Sequence, residues 1–104
     1  MRFALAEPAA RDLDSIIAYI ALDNPTAAEK VFRSIADAAQ SLADFPEMGQ
    51  RGRLADTREL TVPGLPYQIV YQIGADAVTI VAVFHTSRDM GRALSDRRKE
   101  LRKR

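Results

Sequence analysis

The single histidine of this chain lies three residues before an arginine, in the sequence Phe84-His85-Thr86-Ser87-Arg88. A histidine can act as a general base and an arginine can stabilise developing negative charge, so this pair is a candidate for acid–base chemistry on an anion. Ser87 follows His85 closely, but no third group is evident that would orient a nucleophilic triad. His85 also follows a long apolar run, where a hydrogen-bonded structural histidine is the simpler interpretation.

The composition excludes several other kinds of site. The 104 residues include no cysteine and one histidine, so neither a disulfide framework nor a zinc site is predicted. No glycine-rich phosphate-binding motif is present, and we expect no metal and no cofactor. No signal segment and no run of roughly 18 apolar residues occurs, so we expect a cytoplasmic protein that does not contact a membrane.

Two amphipathic helices are predicted in the first half of the chain. After a possible strand over residues 2–6, Pro8 opens a helix, and Asn24-Pro25 ends it and starts another with Asn24 as its N-cap. Apolar residues recur on one face of each helix, at Leu13, Ile16, Ile17 and Ile20 and then at Ala28, Val31, Phe32, Ile35, Ala39 and Leu42. The two helices should form an antiparallel hairpin. It ends at Phe45-Pro46, and residues 46–57 then read as a mobile loop.

Three strands follow, beginning near Arg58, Tyr67 and Val78, and the last two are joined by a turn at residues 74–77. Alternation places Tyr67, Ile69, Tyr71 and Ile73 against the helices and leaves the face of Gln68, Val70 and Gln72 open. Val78–Phe84 is apolar on both faces, which is typical of a central strand. The predicted fold is therefore α+β, with the first strand and the helical hairpin packed on one face of a mostly antiparallel four-stranded sheet.

Charge is distributed unevenly between one predicted domain, residues 1–91, and a basic C-terminal tail, residues 92–104. Residues 1–87 hold seven basic and eleven acidic side chains, whereas residues 88–104 hold eight basic and three acidic. Ser95 is a candidate cap for a short helix in the tail, but few apolar residues are available to anchor it, so we expect a frayed or partner-ordered segment. Such clustered cations can bind nucleic acid or an acidic protein, or simply aid solubility.

Several motifs together resemble the RelE/ParE superfamily of bacterial toxins. They are the helix-helix-loop order, Phe45-Pro46-x-Met48-Gly49, Thr57-Arg58-Glu59-Leu60, Pro66-Tyr67-x-Ile69-Val70-Tyr71 and Phe84-His85-x-x-Arg88-Asp89. The resemblance covers nearly all of residues 1–90 and extends to members known as plasmid stabilisation proteins. It implies the toxin of a type II toxin–antitoxin pair, neutralised in a hetero-oligomer by a ParD-like or RelB-like antitoxin.

Members of this superfamily differ in target: RelE-type toxins cut messenger RNA on the ribosome, and ParE-type toxins inhibit DNA gyrase. The basic residues of RelE-like nucleases would correspond to Gln68 and to the stretch 59–61, which contain no Lys or Arg. Arg88 matches the arginine at the end of the last strand. Our leading interpretation is a ParE-like gyrase inhibitor that acts by binding and performs no reaction. The alternative is a metal-independent, ribosome-dependent endonuclease that uses His85 and Arg88, and a third possibility is a non-toxic interaction module.

Candidate contact residues follow from this interpretation. We expect target contacts from Arg88, Arg92, Arg97 and Arg98, and antitoxin contacts from Arg51, Arg53, Gln68 and Gln72. Arg58 is expected to have a structural role, paired with an acidic residue. Because a tail with few apolar residues contributes little folding energy, removal of residues 92–104 should weaken gyrase inhibition and leave folding and antitoxin binding largely intact.

Overall fold

The computed structural model describes residues 1–103, and it confirms the α+β class. The strands are β1 (Arg2–Leu5), β2 (Gln50–Arg51), β3 (Arg58–Thr61), β4 (Tyr67–Ile73) and β5 (Ala77–His85). The helices are α1 (Glu7–Ala21), α2 (Pro25–Asp44) and α3 (Met90–Arg102), and a 3₁₀ turn covers Pro46–Met48. Within residues 1–103, no helix is both long and apolar enough to cross a membrane.

The helical hairpin forms as the sequence predicts. Pro8 lies in the first turn of α1, where its missing N–H costs no hydrogen bond. The Asn24 side chain caps α2 by accepting a hydrogen bond from the Ala27 N–H at 3.0 Å. The apolar faces of the two helices bury Ala9, Ile35, Ala39 and Leu42 against one face of the sheet.

The sheet has one strand more than we predicted, in the order β1-β5-β4-β3-β2. β1 runs parallel to β5, and the other neighbouring strands are antiparallel. The additional strand is β2, in which Gln50 pairs with Glu59 and Arg51 with Arg58. It lies inside residues 46–57, which were expected to be a mobile loop. A strand of two residues is too short to show an alternation of apolar and polar side chains, so only its pairing with β3 defines it.

The expected frayed tail is wrong for residues 92–102, because they belong to α3. Asp89 caps this helix by accepting a hydrogen bond from the Arg92 N–H at 3.2 Å, so the helix starts before the predicted cap at Ser95. Met90, Ala93 and Leu94 are buried. The predicted boundary at residue 92 falls inside α3, and residue 104 lies outside the described residues.

A second apolar core explains why α3 packs on the sheet. Val70, Val81, Ala82 and Phe84 point away from the helical hairpin and are covered by Met90, Ala93 and Leu94 of α3. The face of β4 that we expected to be open is therefore partly covered, and Val70 is fully buried. The apolar character of β5 on both faces required such a cover, since leaving either face in water would forfeit its hydrophobic stabilisation.

Candidate functional site

His85 is the last residue of β5, and Arg88 lies three residues beyond it. His85 is opposite Tyr67 of β4, with ring centroids 5.2 Å apart in an edge-on arrangement. Its Nδ1 accepts a hydrogen bond from the Ser87 N–H at 3.0 Å, so a neutral imidazole in this geometry carries its proton on Nε2. That tautomer donates at Nε2 and has no free lone pair with which to act as a base.

The Arg88 guanidinium lies on the other side of β5. It is stacked over the Phe84 ring, 4.6 Å from the centroid, in a cation–π contact. Phe84 belongs to the core beneath α3, whereas Tyr67, opposite His85, packs on the core beneath the hairpin. His85 and Arg88 thus share a strand end, and their side chains project to opposite faces of the sheet.

The surface of β3 and β4 provides no cation where a nuclease of this superfamily would carry one. Thr61 pairs with Gln68, and Leu60 pairs with Ile69. Glu59 is buried, and its carboxylate accepts a hydrogen bond from the Arg53 N–H at 2.8 Å. At these positions, the side chains are therefore either neutral or, for Glu59, hydrogen-bonded to the backbone.

The arginines of α3 separate into buried and exposed groups. Arg97 makes a bidentate ion pair with Asp12 of α1, with both N–O distances at 2.6 Å, and a 3.3 Å contact with Glu100. Burial lowers the pKa of the Arg97 guanidinium, but hydrogen bonding and charge interaction with Asp12 and Glu100 outweigh this, so its pKa is above the ordinary value. The Arg97 side chain is only 10% exposed and is engaged in these ion pairs, so it does not belong to the exposed surface of α3.

Arg92 and Arg98 face solvent, as do Lys99 and Arg102 on the same helix. Within residues 1–103 these four cations have no ion pair with a carboxylate, so the outer surface of α3 has a net positive charge. Lys99 and Arg102 also lie in the last helical turn, where a cation is favourable beside the helix dipole. A structural benefit and a binding role are therefore compatible for these residues.

The four residues predicted to contact a partner are spread along the sheet. Arg51 is exposed on edge strand β2, and Arg53 follows it, with its Nε 3.9 Å from the Glu59 carboxylate. Gln72 is exposed near the end of β4 and lines a groove that also contains Arg98. Gln68 is only half exposed and lies opposite Phe84. Arg51, Arg53 and Gln72 are therefore exposed, and Gln68 is the least accessible member of this set.

Sequence reasoning missed a hydrogen-bonded tether below the 3₁₀ turn. The Tyr71 hydroxyl donates to the Pro46 carbonyl at 2.7 Å and accepts from the Gly49 N–H at 2.9 Å. Arg58 donates to the carbonyls of Gly49 and Glu47, at 3.1 and 3.0 Å. Arg58 is thus structural, as expected, but its partners are carbonyls and not a carboxylate. The Tyr71 hydroxyl was expected at the rim of the core, yet it is buried. The sequence signal for this tether was the Phe45-Pro46-x-Met48-Gly49 motif, which contains both backbone groups that the Tyr71 hydroxyl binds.

Comparisons with known proteins agree with this architecture. Residues 3–90 match the family model described as the ParE toxin of the type II toxin–antitoxin system parDE. "Putative toxin Y4kP" of Sinorhizobium fredii (strain NBRC 101917 / NGR234) is 46% identical over 77 residues, which are 74% of this chain and 79% of that protein. Toxin RelE2 of Caulobacter vibrioides (strain ATCC 19089 / CIP 103742 / CB 15) is 42% identical over 79 residues, which are 74% of this chain and 85% of that protein.

A solved structure is similar in fold. It is described as the chromosomal ParDE TA system from P. aeruginosa, and the match has a TM-score of 0.73 at 20% identity. It covers 82% of this chain and 95% of that chain. The family match spans β1 through the first residue of α3, the region that contains the hairpin, the sheet and the tether. The chain belongs to the ParE toxin family of type II toxin–antitoxin systems.

Proposed function

We propose that this toxin acts by binding DNA gyrase, performs no reaction of its own, and is neutralised in a hetero-oligomer with a cognate antitoxin. The observation that carries the proposal is the cationic outer surface of α3, where Arg92, Arg98 and Arg102 are exposed and free of carboxylate partners among residues 1–103. Such a surface attracts an acidic or DNA-bound target and accelerates association with it.

The absence of an assembled acid–base site also favours binding over cleavage. Metal-independent RNA cleavage needs a base for the 2′-hydroxyl and cations for the phosphorane charge. In the described residues, the Nδ1 lone pair of His85 is engaged, and Gln68 and Thr61 are neutral. These features support an inhibitor that works through its surface.

The runner-up function is ribosome-dependent cleavage of messenger RNA. Arg88 favours it, since this residue is exposed at the end of β5 and matches an arginine of RelE-like nucleases. The name of one relative, Toxin RelE2, points in the same direction. This function would require His85 to release Ser87 and change tautomer when substrate binds.

One pair of assays separates the two functions. Purified toxin is added to a gyrase supercoiling reaction and, separately, to ribosomes translating a defined message whose 5′ ends are then mapped. We expect loss of supercoiling at toxin concentrations that leave the message intact. Cleavage of the message without inhibition of gyrase would reject the proposed target. The product of the adjacent gene should restore supercoiling when it is added in equimolar amount.

A further inference from the structure

The outermost side of α3 carries a straight row of exposed polar side chains, which we call the cationic ridge. It consists of Arg92, Ser95, Lys99 and Lys103. At 3.6 residues per turn these positions lie on one side of the helix, and the buried residues Met90, Ala93 and Leu94 lie on the opposite side. Arg98 and Arg102 lie to one side of the ridge, where they line the groove next to β4. The ridge is therefore the part of α3 that lies farthest from the core.

The charges of the cationic ridge are not neutralised within the described part of the protein. Among residues 1–103, Arg92, Lys99 and Lys103 form no ion pair. The Glu100 carboxylate pairs with arginines outside the ridge. Asp96 lies on one flank, but residues 92–103 still hold six basic side chains against two acidic ones. The ridge thus has a net positive charge that a partner can use.

The stability of α3 does not explain all of these cations. Lys99 lies in the last helical turn and Lys103 follows it as the C-cap, so both positions are favourable beside the helix dipole. Arg92 lies in the first turn, where a cation is unfavourable. The Asp89 carboxylate accepts from the Arg92 backbone N–H but forms no ion pair with its side chain. An exposed arginine at this position is better explained by binding than by folding.

The charge of the whole molecule is polarised across the sheet. The helical hairpin packs on one face of the sheet, and α3 packs on the other. Residues 7–44, which form the hairpin, hold seven acidic and three basic side chains. The two sides of the molecule therefore have opposite net charge, so a polyanion attracts the side of α3 and repels the hairpin.

The composition of the cationic ridge favours a duplex phosphate backbone over other polyanions. Protein interfaces are anchored by apolar and aromatic side chains, and the four ridge residues include none. Single-stranded nucleic acids stack their bases on aromatic rings, which the ridge also does not provide. Arginine, lysine and serine are common donors to the phosphates of duplex DNA. At 1.5 Å per residue the ridge is about 17 Å long, which matches about five base pairs at 3.4 Å each.

We infer that the cationic ridge binds the phosphate backbone of duplex DNA independently of base sequence. Phosphate contacts carry no sequence information, and the ridge residues are suited to phosphates. The inference rests on the proposed function and deepens it, because gyrase acts on duplex DNA. The toxin then contacts both components of the gyrase–DNA complex, and the ridge holds it on the DNA while the rest of its surface stays available to the enzyme.

Binding to DNA in the absence of gyrase tests the inference. The probe is a fluorescently labelled duplex of about 30 base pairs, titrated with the full chain at about 50 mM salt and followed by anisotropy. One ridge variant, Arg92→Gln/Lys99→Gln, removes two cations. The other, Ser95→Glu, adds a negative charge in the middle of the ridge.

Matched controls make the same charge changes on the opposite side of the molecule. Lys30→Gln/Arg33→Gln removes two cations from α2, and Gln40→Glu adds one negative charge there, all at exposed positions. Each control alters the net charge as much as its ridge counterpart does, so a difference between them reports the position of the charge. Thermal unfolding verifies that every variant retains the fold.

We expect each ridge variant to weaken DNA binding at least about fivefold and each control to change it less than about twofold. For Arg92→Gln/Lys99→Gln, the slope of log K against log salt should decrease by about two, because fewer counterions are released. Duplexes of unrelated sequence should bind equally well. Single-stranded DNA and single-stranded RNA should bind more weakly than the duplex.

Several outcomes would overturn the inference. They are the absence of duplex binding by the wild type at about 100 μM toxin, and equal losses in the ridge variants and the controls. Tighter binding of single-stranded RNA than of the duplex would assign the ridge to RNA instead. A parallel supercoiling assay separates this failure from that of the proposed function. Gyrase inhibition without DNA binding rejects the ridge inference alone, and DNA binding without gyrase inhibition rejects the proposed target alone.

Discussion

Asp12 and Arg97, which are 85 residues apart, form a bidentate ion pair, and each also binds a backbone group of β5. The Asp12 carboxylate accepts from the Val83 N–H, and Arg97 donates to the Val81 carbonyl, both at 2.9 Å. β1 pairs with β5 only as far as Leu5 opposite Ile80. Beyond that point, the side chains of the ion pair provide hydrogen-bond partners for backbone groups at the edge of β5. It joins α1, α3 and β5, and a second pair between Arg11 and Glu100 links the same two helices.

Replacing Arg97 with alanine should strongly destabilise the toxin. The change leaves the Asp12 carboxylate, which is 12% exposed, without its cation, and it removes the donor to the Val81 carbonyl. Loss of one partner from a buried ion pair costs about 3–5 kcal/mol in the free energy of unfolding, measurable by urea denaturation. Arg33→Ala, which breaks an exposed pair with Glu29, is the control and should cost about 1 kcal/mol or less.

The contribution of the Arg97 charge to the free energy of unfolding depends on pH in a direction that its raised pKa defines. The pKa of Arg97 is raised in the folded protein, so the stabilisation that its charge provides is complete below the ordinary arginine pKa and is lost only as strongly alkaline pH passes the folded-state value. The stability difference between wild type and Arg97→Ala should therefore be constant from about pH 7 to about pH 9. A marked decrease of this stability difference within that pH interval would contradict a raised pKa for Arg97.

Removal of residues 92–104 should unfold the toxin or make it aggregate, contrary to our expectation from the sequence. The truncation exposes Val70, Val81, Ala82 and Phe84 and breaks the Asp12–Arg97 pair. At about 1.5–3 kcal/mol for each large apolar side chain, the loss approaches the 5–15 kcal/mol that stabilises a typical domain. Circular dichroism and size-exclusion chromatography test this. A monomeric truncated chain with a cooperative melt near that of the wild type would contradict it.

Gly49→Ala should disrupt the tether below the 3₁₀ turn. A Cβ at this position would lie 2.6 Å from the Tyr71 hydroxyl and 2.9 Å from the Glu59 carbonyl, so the buried hydrogen bonds must shift. Overpacking of this kind costs about 1–3 kcal/mol. Gly91→Ala, in the first turn of α3, is the matched control, because the nearest atom to its added Cβ is Asp89 Oδ1 at 3.7 Å, an ordinary contact distance. There alanine should stabilise the protein by about 0.5–1 kcal/mol. Thermal melts of both variants give the comparison.

Neutralising the exposed end of α3 should weaken the toxin without unfolding it. Arg98→Gln/Arg102→Gln removes two exposed cations that have no carboxylate partner among residues 1–103, so the melting temperature should change little. Under the proposed function, gyrase inhibition should fall at low salt, and the difference from wild type should narrow as salt rises. Lys30→Gln/Arg33→Gln removes the same charge from α2 and should have no such effect. Equal potency of the two double variants would argue against a target contact at α3.

His85→Gln should leave toxicity nearly unchanged. Glutamine can neither act as a base nor stack edge-on against Tyr67, so this change separates a catalytic histidine from a structural one. We expect a loss of stability near 1 kcal/mol and the same gyrase inhibition. A fall of about 100-fold or more in message cleavage, with the fold intact, would instead support the nuclease.

The sequence by itself determined the elements whose signals are local. Helical periodicity, Asn24 before Pro25, and the apolar runs of β4 and β5 predicted the hairpin and the main strands correctly. Motif order was sufficient to indicate the toxin superfamily, because several weak signals occurred at the expected spacing. These features depend on residues within a few turns or strand lengths of one another, so no knowledge of packing was needed.

Only the tertiary structure decided what α3 is and what Arg97 does. In the sequence, residues 92–104 form a charged segment with few apolar residues. Met90, Ala93 and Leu94 nevertheless anchor α3, because β5 presents an apolar second face that needs a cover. Arg97 and Arg98 are the same residue type in adjacent positions, yet the side chain of Arg97 is only 10% exposed and paired with Asp12, whereas Arg98 is exposed. The roles of charged residues follow from which distant elements meet, and local sequence patterns do not encode that information.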